Sequence, residues 1–501
     1  MKLKRDDFLA CFAGLILPLA FAPLNYYFIA VLSPLLLLFS WLHCSPKRAA
    51  LRGFLFGLGF FGVGVSWIFV SIHVYGDTPI WLAGIFTALF VMALSCFPAL
   101  QGYLLNQFFP KNNLYKIILA FPAIWVLIEW LRSWLFTGFP WLLLGYSQTD
   151  SALRGLAPII GVYGISFVVL LTSSILLLLF TRIVNNKIDW RGRISREDYI
   201  LIFFLFYIWF GSGALSHIEW TTSTGDKIQV SLIQGDIPQQ LKWSPEYLQK
   251  SLSIYENLTK THWRSELIVW PEAAIPLFLH DAKNFLRPLT ETAKKHHSNL
   301  ITGIPIQNST INEYYNGIIL VGQNEGIYHK RHLVPFGEFL PLQNWLRGII
   351  NLFNLPMSDF SPGPYKQENL KLGQWKIAPF ICYEIAFSEL VLSDLPEANL
   401  LMTLSNDAWF GHSLAPAQHL QMSRMQSLQT GRYQLVATNN GITALIKSDG
   451  KILDQLQPFT RGVLTGEVVP MLGATPWIKI GIWPMMIFLF LTLVYSKIRS
   501  K

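Results

Sequence analysis

Eight stretches of the chain are apolar for long enough to read as membrane helices, at about 7–24, 26–42, 51–72, 79–105, 115–135, 156–181, 199–218 and 477–496. A bilayer core about 30 Å thick needs roughly 20 apolar residues in a helix, because lipid offers no partner to an unpaired backbone group. The first two stretches are short and joined by a tight Pro23-Leu24-Asn25 link. From about residue 227 the pattern changes. Short β-branched runs appear at 228–233, 267–270, 300–304, 317–321, 377–382, 400–404, 435–438 and 443–446, with helix-period segments such as 245–263 and 416–429 between them. Strands alternating with helices at this spacing predict an α/β layered domain. Ser448-Asp449-Gly450 between two apolar runs predicts a hairpin turn.

Composition sharpens this division. At 52% apolar and 14% charged over 501 residues, the chain is neither disordered nor fibrous. Residues 1–218 and 477–501 hold 19 Lys or Arg against 8 Asp or Glu, while 219–476 hold 20 against 22, so the formal charge of +9 belongs to the apolar part. Those basic residues sit between hydrophobic runs and form no single patch, which argues against nucleic acid as a partner. With the N-terminus in the cytoplasm, sixteen Lys or Arg fall in inside segments and only Arg154 in a short outside loop. The expected organisation is therefore 1–218 as seven transmembrane helices, 219–476 as an extracytoplasmic α/β domain, and 477–501 as a last helix with a cytoplasmic tail. Ala20-Phe21-Ala22 resembles a signal-peptide cut site, but Pro23 follows it and further spans come at once, so the first run is read as a retained helix.

Candidate chemistry gathers in 219–476. Cys11, Cys44 and Cys96 belong to the membrane part or its edge, leaving Cys382 as the only thiol of the outer block. A lone cysteine there reads either as a small buried hydrophobe or as a reactive thiol. Cys382 closes the apolar run Ile377–Ile381 and precedes Tyr383-Glu384, a strand end where a helix is expected to begin and where helix-terminal amides favour a thiolate. A nucleophilic thiol also needs a base and an oxyanion partner. Glu272 closes the run Ile268-Val269-Trp270 in the same manner; Lys330 follows another strand-like run, and Glu338 comes eight residues later. Each alone reads more often as a solvated surface charge; three of them at strand ends make coincidence a poorer account. The pairs His296-His297 and His329 with His332 lack the spacing of a metal site and read as solvated loops. Glu129 and Arg132, three apart on a membrane helix, are expected to pair toward the bundle.

These residues resemble the nitrilase superfamily of carbon–nitrogen hydrolases, whose Glu, Lys and Cys occur in this order. The whole chain resembles more closely the apolipoprotein N-acyltransferases, a family of bacterial inner-membrane enzymes. The matching segments are Gln234-Gly235-Asp236-Ile237-Pro238 with Lys242-Trp243, Trp270 to Pro276, His332 to Glu338, Ile381-Cys382-Tyr383-Glu384, Ser405 to Gly411 and Thr438 to Ile442. In the membrane part, Thr137-Gly138-Phe139-Pro140-Trp141 and Gly161-Val162-Tyr163-Gly164 match as well.

The resemblance implies a bundle of about eight membrane helices joined to a periplasmic αββα sandwich. It implies Glu272 as general base, Lys330 as oxyanion stabiliser that also helps keep the thiol ionised, and Cys382 as the thioester carrier. Glu338, Tyr383 and Glu384 would support them. Trp243 would lie on an arm over the entrance, and Trp345 and Phe353 on an apolar lid within 341–356. Arg331 departs from the smaller polar residue expected after the lysine. The implied donor is a membrane phospholipid, phosphatidylethanolamine, attacked at its sn-1 ester. The acceptor is the α-amino group of a diacylated apolipoprotein, with no metal or other cofactor. Both substrates carry long chains, each buried methylene being worth about 0.8 kcal/mol, so the site must meet them at the lipid surface. The rival readings are a membrane-tethered amidase that uses water and an inactive, ligand-sensing membrane scaffold.

Overall fold

In the computed structural model, which describes residues 3–184, 196–308, 313–339 and 360–500, each of the eight apolar stretches forms helix. Three helices are long and apolar enough to cross a membrane: Ile80–Phe108, Ala152–Val184 and Arg196–Leu215. Pro46–Gly64 with Trp67–Tyr75, broken between them, makes a fourth if counted as one span. Arg5–Ile16, Ile29–Trp41, Phe121–Arg132 and Trp483–Arg499 are shorter. At 1.5 Å per residue, a helix of 12 residues covers only about 18 Å. Of the eight predicted membrane helices, three or four among the described residues are long and apolar enough to span by themselves. Proline accounts for part of the difference: Pro18 follows the first helix into a tighter 3-10 turn, and Pro122 sits in the first turn of Phe121–Arg132.

The helical unit comprises 1–66, 84–218 and 479–501. Its buried charges are partnered, as an apolar interior demands. Asp7 accepts from both Arg48 and Arg52, and Arg52 also reaches Asp6 at 3.0 Å. Glu129 and Arg132 are buried and tie down the loop after their helix: Glu129 accepts from the Leu144 amide at 2.8 Å, and Arg132 donates to the carbonyls of Phe139 and Trp141 at 2.6 and 2.7 Å.

The second unit comprises 67–83 and 219–478, so a segment that the hydropathy pattern places among the membrane helices packs with the α/β part. Trp67 meets Phe410 edge-on at 4.8 Å between ring centroids, and Ser71 Oγ donates to the Trp409 carbonyl at 2.8 Å. The strands, in chain order, are β1 (Thr222–Ser223), β2 (Ile228–Gln234), β3 (Leu267–Val269), β4 (Asn299–Asn308), β5 (Glu313–Gly322), β6 (Gly326–His329), β7 (Leu370–Leu372), β8 (Trp375–Ile381), β9 (Leu400–Ser405), β10 (Tyr433–Thr438), β11 (Ala444–Ile446), β12 (Ile452–Gln455), β13 (Gly462–Val468) and β14 (Met471–Leu472). One six-stranded sheet has the order β13-β2-β3-β4-β5-β6 and the other β12-β11-β10-β9-β8-β7; β1 and β14 form a separate ribbon.

The two sheets face each other across a dry core that includes Val230, Leu232, Val269 and Ile318 from one and Ile381, Met402, Leu404 and Leu435 from the other. Helices Pro245–Thr259 and Lys283–Lys295 cover the outer face of the first sheet through Leu252, Tyr255, Leu286 and Leu289. Helix Ala415–Thr430 packs on the second through Leu420 against Val436. This is the expected αββα sandwich. The predicted hairpin joins β11 to β12, with Gly450 at φ +76°.

Strand direction places the chemistry. β2, β3 and β4 are mutually parallel, as are β8, β9 and β10, so their carboxyl ends emerge on one edge of each sheet. β5 and β6 are successive antiparallel neighbours, which makes β6 run with β4 and end on that same edge. Gly303 is required there, because a Cβ at this position would collide with the main chain of Glu272 and Ala273. Gly303→Val should therefore destabilise the folded protein by ~1–3 kcal/mol as overpacking, read as a lowered unfolding temperature; unchanged thermal stability would show that the Glu272 turn is free to move away.

Candidate active site

Glu272 follows β3, Lys330 follows β6 and Cys382 follows β8, so each stands just beyond the carboxyl end of its strand. The Lys330 ammonium is almost wholly buried, 2.8 Å from Glu338 Oε1 and 3.6 Å from Glu272 Oε1. Both carboxylates are further held. Glu272 Oε2 accepts from the Asn406 amide at 2.8 Å, and Glu338 Oε2 from the Val334 amide at 2.8 Å. The Asn316 side-chain amide donates to Glu272 Oε1 and to Glu338 Oε1, each at 2.8 Å. Asn316 also pairs with the lysine through the main chain, its carbonyl accepting from the Lys330 amide at 2.8 Å. A single asparagine thus fixes Glu272, Glu338 and Lys330 together.

Cys382 occupies the first position of a short 3-10 turn, Cys382–Ala386, at φ +52°. Ala273, next to Glu272, is also left-handed at φ +46°. Such conformations are unfavourable for residues with a Cβ and persist where surrounding contacts over-determine them. The expected helix after the cysteine is only this five-residue turn, too short to act as an amide dipole. Burial instead pushes the Cys382 thiol above the ordinary range, and Glu272 pushes it further, while Lys330 pulls it down without prevailing. Lys330 itself is held charged: burial works against its ammonium, but Glu338 and Glu272 together raise it above the usual lysine range. Burial and Glu272 thus oppose a thiolate here, and the pull of Lys330 toward one is the smaller effect.

The supporting residues divide into distinct tasks. Glu384 is fully buried and accepts from the amides of Ile381, Arg331 and His332 at 2.7, 2.6 and 3.1 Å and from the Tyr328 hydroxyl at 2.9 Å. It clamps the cysteine turn to the lysine loop. Tyr383 packs edge-on against Phe387 at 5.0 Å. Arg331 turns away from the site and forms an ion pair with Asp394 at 2.7 Å, supported by the Tyr328 hydroxyl at 3.0 Å, so it leaves the charge around Lys330 undisturbed. His329 and His332, read as solvated from sequence, pack on the rings of Tyr315 and Phe387 at 4.6 and 3.8 Å. Aromatic neighbours distant in sequence decide that difference.

Trp243 is half-buried directly after a single helical turn, Gln239–Lys242. Lys242 anchors this arm: buried, it donates to the Glu272 carbonyl at 2.9 Å, and burial pushes its ammonium down to about 8 against the pull of Glu272. Gln239 Oε1 accepts from the Asn406 side chain at 2.7 Å. Trp345, Phe353 and the rest of the expected lid lie outside the described residues. Sequence reasoning gave no role to Asn316, Asn406 or Lys242. A usable signal existed for Asn316, since it is the polar residue that opens the apolar run of β5, and an antiparallel strand begins on the edge where its parallel neighbours end.

A thiol, a buried lysine and two carboxylates stand at the carboxyl ends of two stacked sheets, in a unit of the carbon–nitrogen hydrolase type. The carbon-nitrogen hydrolase family model matches residues 229–476, and the apolipoprotein N-acyltransferase N-terminal domain matches 13–175. Among solved structures, Saccharomyces cerevisiae Nit3 of the nitrilase superfamily is 18% identical, with a TM-score of 0.37 over 50% of this chain and 93% of its own. Over nearly the whole length the chain is 43% identical to apolipoprotein N-acyltransferase of Methylococcus capsulatus, covering 95% of this chain and 92% of that one. It is 44% identical to that of Coxiella burnetii, covering 97% and 99%. The chain belongs to the apolipoprotein N-acyltransferase family, and it is a membrane protein.

The opposed effects of Glu272 and Lys330 on the thiol give a measurable sign. Alkylation of Cys382 by iodoacetamide in the resting protein should be slow at neutral pH and rise as pH passes above the ordinary thiol range. Glu272→Gln should speed it, by removing a negative charge, and Lys330→Met should slow it. Peptide mapping by mass spectrometry checks this, and equal rates in all three proteins would contradict the charge arrangement.

Proposed function

We propose that this chain is a phospholipid:apolipoprotein N-acyltransferase that works through a thioester on Cys382. The observation that carries the reading is the buried Glu272–Lys330 pair beside a thiol, in a chain whose other unit is built of apolar helices. In the first half-reaction Glu272 takes the Cys382 proton as sulfur attacks the phospholipid ester, and Lys330 faces the oxygen on which negative charge develops. The lysophospholipid leaves with the proton that Glu272 returns, and the acyl chain stays on sulfur. In the second half-reaction the α-amino group of the diacylated lipoprotein attacks the thioester, Glu272 takes a proton from the amine, and an amide forms as the thiol is restored.

Glu338 and Asn316 hold Lys330 and Glu272 in register through both steps. Burial and the neighbouring Glu272 both oppose a thiolate on Cys382, so deprotonation is coupled to attack. Trp243, on the arm pinned by Lys242, guards the entrance against water, which would waste the thioester as free fatty acid. The donor is phosphatidylethanolamine at its sn-1 chain, and the acceptor is the S-diacylglyceryl cysteine that begins a lipoprotein. The positive-inside pattern supports 219–476 on the periplasmic face of a bacterial inner membrane, with seven membrane segments before it and one after.

Purified enzyme given phospholipid labelled in the sn-1 chain and a diacylated lipopeptide should move the label to the lipopeptide amine. Cys382→Ser should be inactive, and Glu272→Gln or Lys330→Ala slower by roughly a hundredfold or more. Release of the label as fatty acid at one rate with or without lipopeptide would mark a hydrolase. Near-wild-type turnover by any of these variants would remove that residue from the mechanism.

A further inference from the structure

Behind the nucleophile lies a buried titratable group that the two half-reactions do not use. His419, on helix Ala415–Thr430, is 3% exposed. Its Nε2 lies 3.0 Å from the main-chain oxygen of Cys382, and its Nδ1 lies 3.4 Å from Asp407 Oδ1. A carbonyl and a carboxylate only accept, so the arrangement is satisfied when both ring nitrogens carry hydrogen. Burial works against a charged imidazole, but the hydrogen bond and charge of Asp407 outweigh it, and the net shift of His419 is upward. Asp407 is fixed in turn: Ser405 Oγ donates to it at 2.5 Å, and a Cβ at Gly441 would run into its carboxylate.

The atom that His419 grips belongs to the residue under strain, since Cys382 holds φ +52°. A carbonyl anchored on that side fixes the peptide plane after the cysteine and hence the direction of its Cα–Cβ bond. The charged and titratable groups facing this corner are Asp407 after β9, the Cys382 thiol after β8, and Glu272 after β3 with its partner Lys330. We propose that His419, tied to Asp407 on one side and to the Cys382 carbonyl on the other, is a positioning residue that locks Cys382 in its left-handed turn and aims the thiol at Glu272 and Lys330. This rests on the thioester reading above for its activity assay, but the thiol measurement below is independent of which acyl acceptor is used.

The test uses the full-length protein in detergent, with His419→Gln, His419→Leu and Asp407→Asn. Each is measured for thermal unfolding, for the rate of Cys382 acylation by phospholipid alone, and for the pH profile of Cys382 alkylation by iodoacetamide. Loss of a hydrogen bond from a charged donor predicts roughly ten- to hundredfold slower acylation in His419→Leu, with partial rescue in His419→Gln, which keeps a neutral donor. The alkylation profile of His419→Gln should move to higher pH because a nearby positive charge is gone, and Asp407→Asn should move the same property less. If His419→Leu fails to fold, the glutamine and asparagine variants decide. Acylation rates and alkylation profiles in these two that coincide with wild type overturn the proposal. Failure of acylation in wild type, with the alkylation shifts still present, would count against the thioester reading and leave the positioning role standing.

Discussion

The site is organised around one buried ammonium. Lys330 cannot be buried alone, because an unpaired charge in a protein interior costs several kcal/mol, and Glu338 at 2.8 Å and Glu272 at 3.6 Å answer that demand. Breaking such a cluster by deleting one partner typically costs about 3–5 kcal/mol, since the other charge stays buried. Stability and chemistry therefore draw on the same contacts. The lysine that would meet an oxyanion is kept charged by the carboxylate that would take the thiol proton, and Asn316 holds both acids from a third strand.

That cluster depends on sheet geometry. Parallel β2–β3–β4 and β8–β9–β10 deliver Glu272, Asn406 and Cys382 to one edge of a two-sheet core, and β6 brings Lys330 there by reversing direction twice. Positive φ at Ala273 and Cys382 marks where the chain turns sharply to present a side chain after a buried strand. Glu384 joins the cysteine turn to the lysine loop with three backbone amides, so the two sheets are linked at the reacting atoms and not only through their apolar core.

Much of this was legible in the sequence for a physical reason. A carboxylate, a lysine and a thiol that each end an apolar run must lie at strand ends, and parallel strands bring such ends together; Glu272, Lys330 and Cys382 were found that way. Short strands such as β1 and β7 were not, because two or three residues carry too little alternation to stand out. His419 and Asn316 were missed since their meaning lies in partners 37 and 44 residues away. The membrane part was read well in kind and less well in length. Hydropathy registers apolar content, but it does not register where Pro18 ends a helix or that Trp67–Ala83 packs with the α/β unit.

In the proposed reaction, the thiol of Cys382 is where the lipid leaves its acyl chain. The most direct measurement is peptide mass spectrometry of the purified protein after incubation with phospholipid in the absence of any amine acceptor. An acyl group on Cys382, labile to hydroxylamine and discharged when a diacylated lipopeptide is added, is the predicted result. An unmodified Cys382, with transfer nevertheless proceeding, would contradict it.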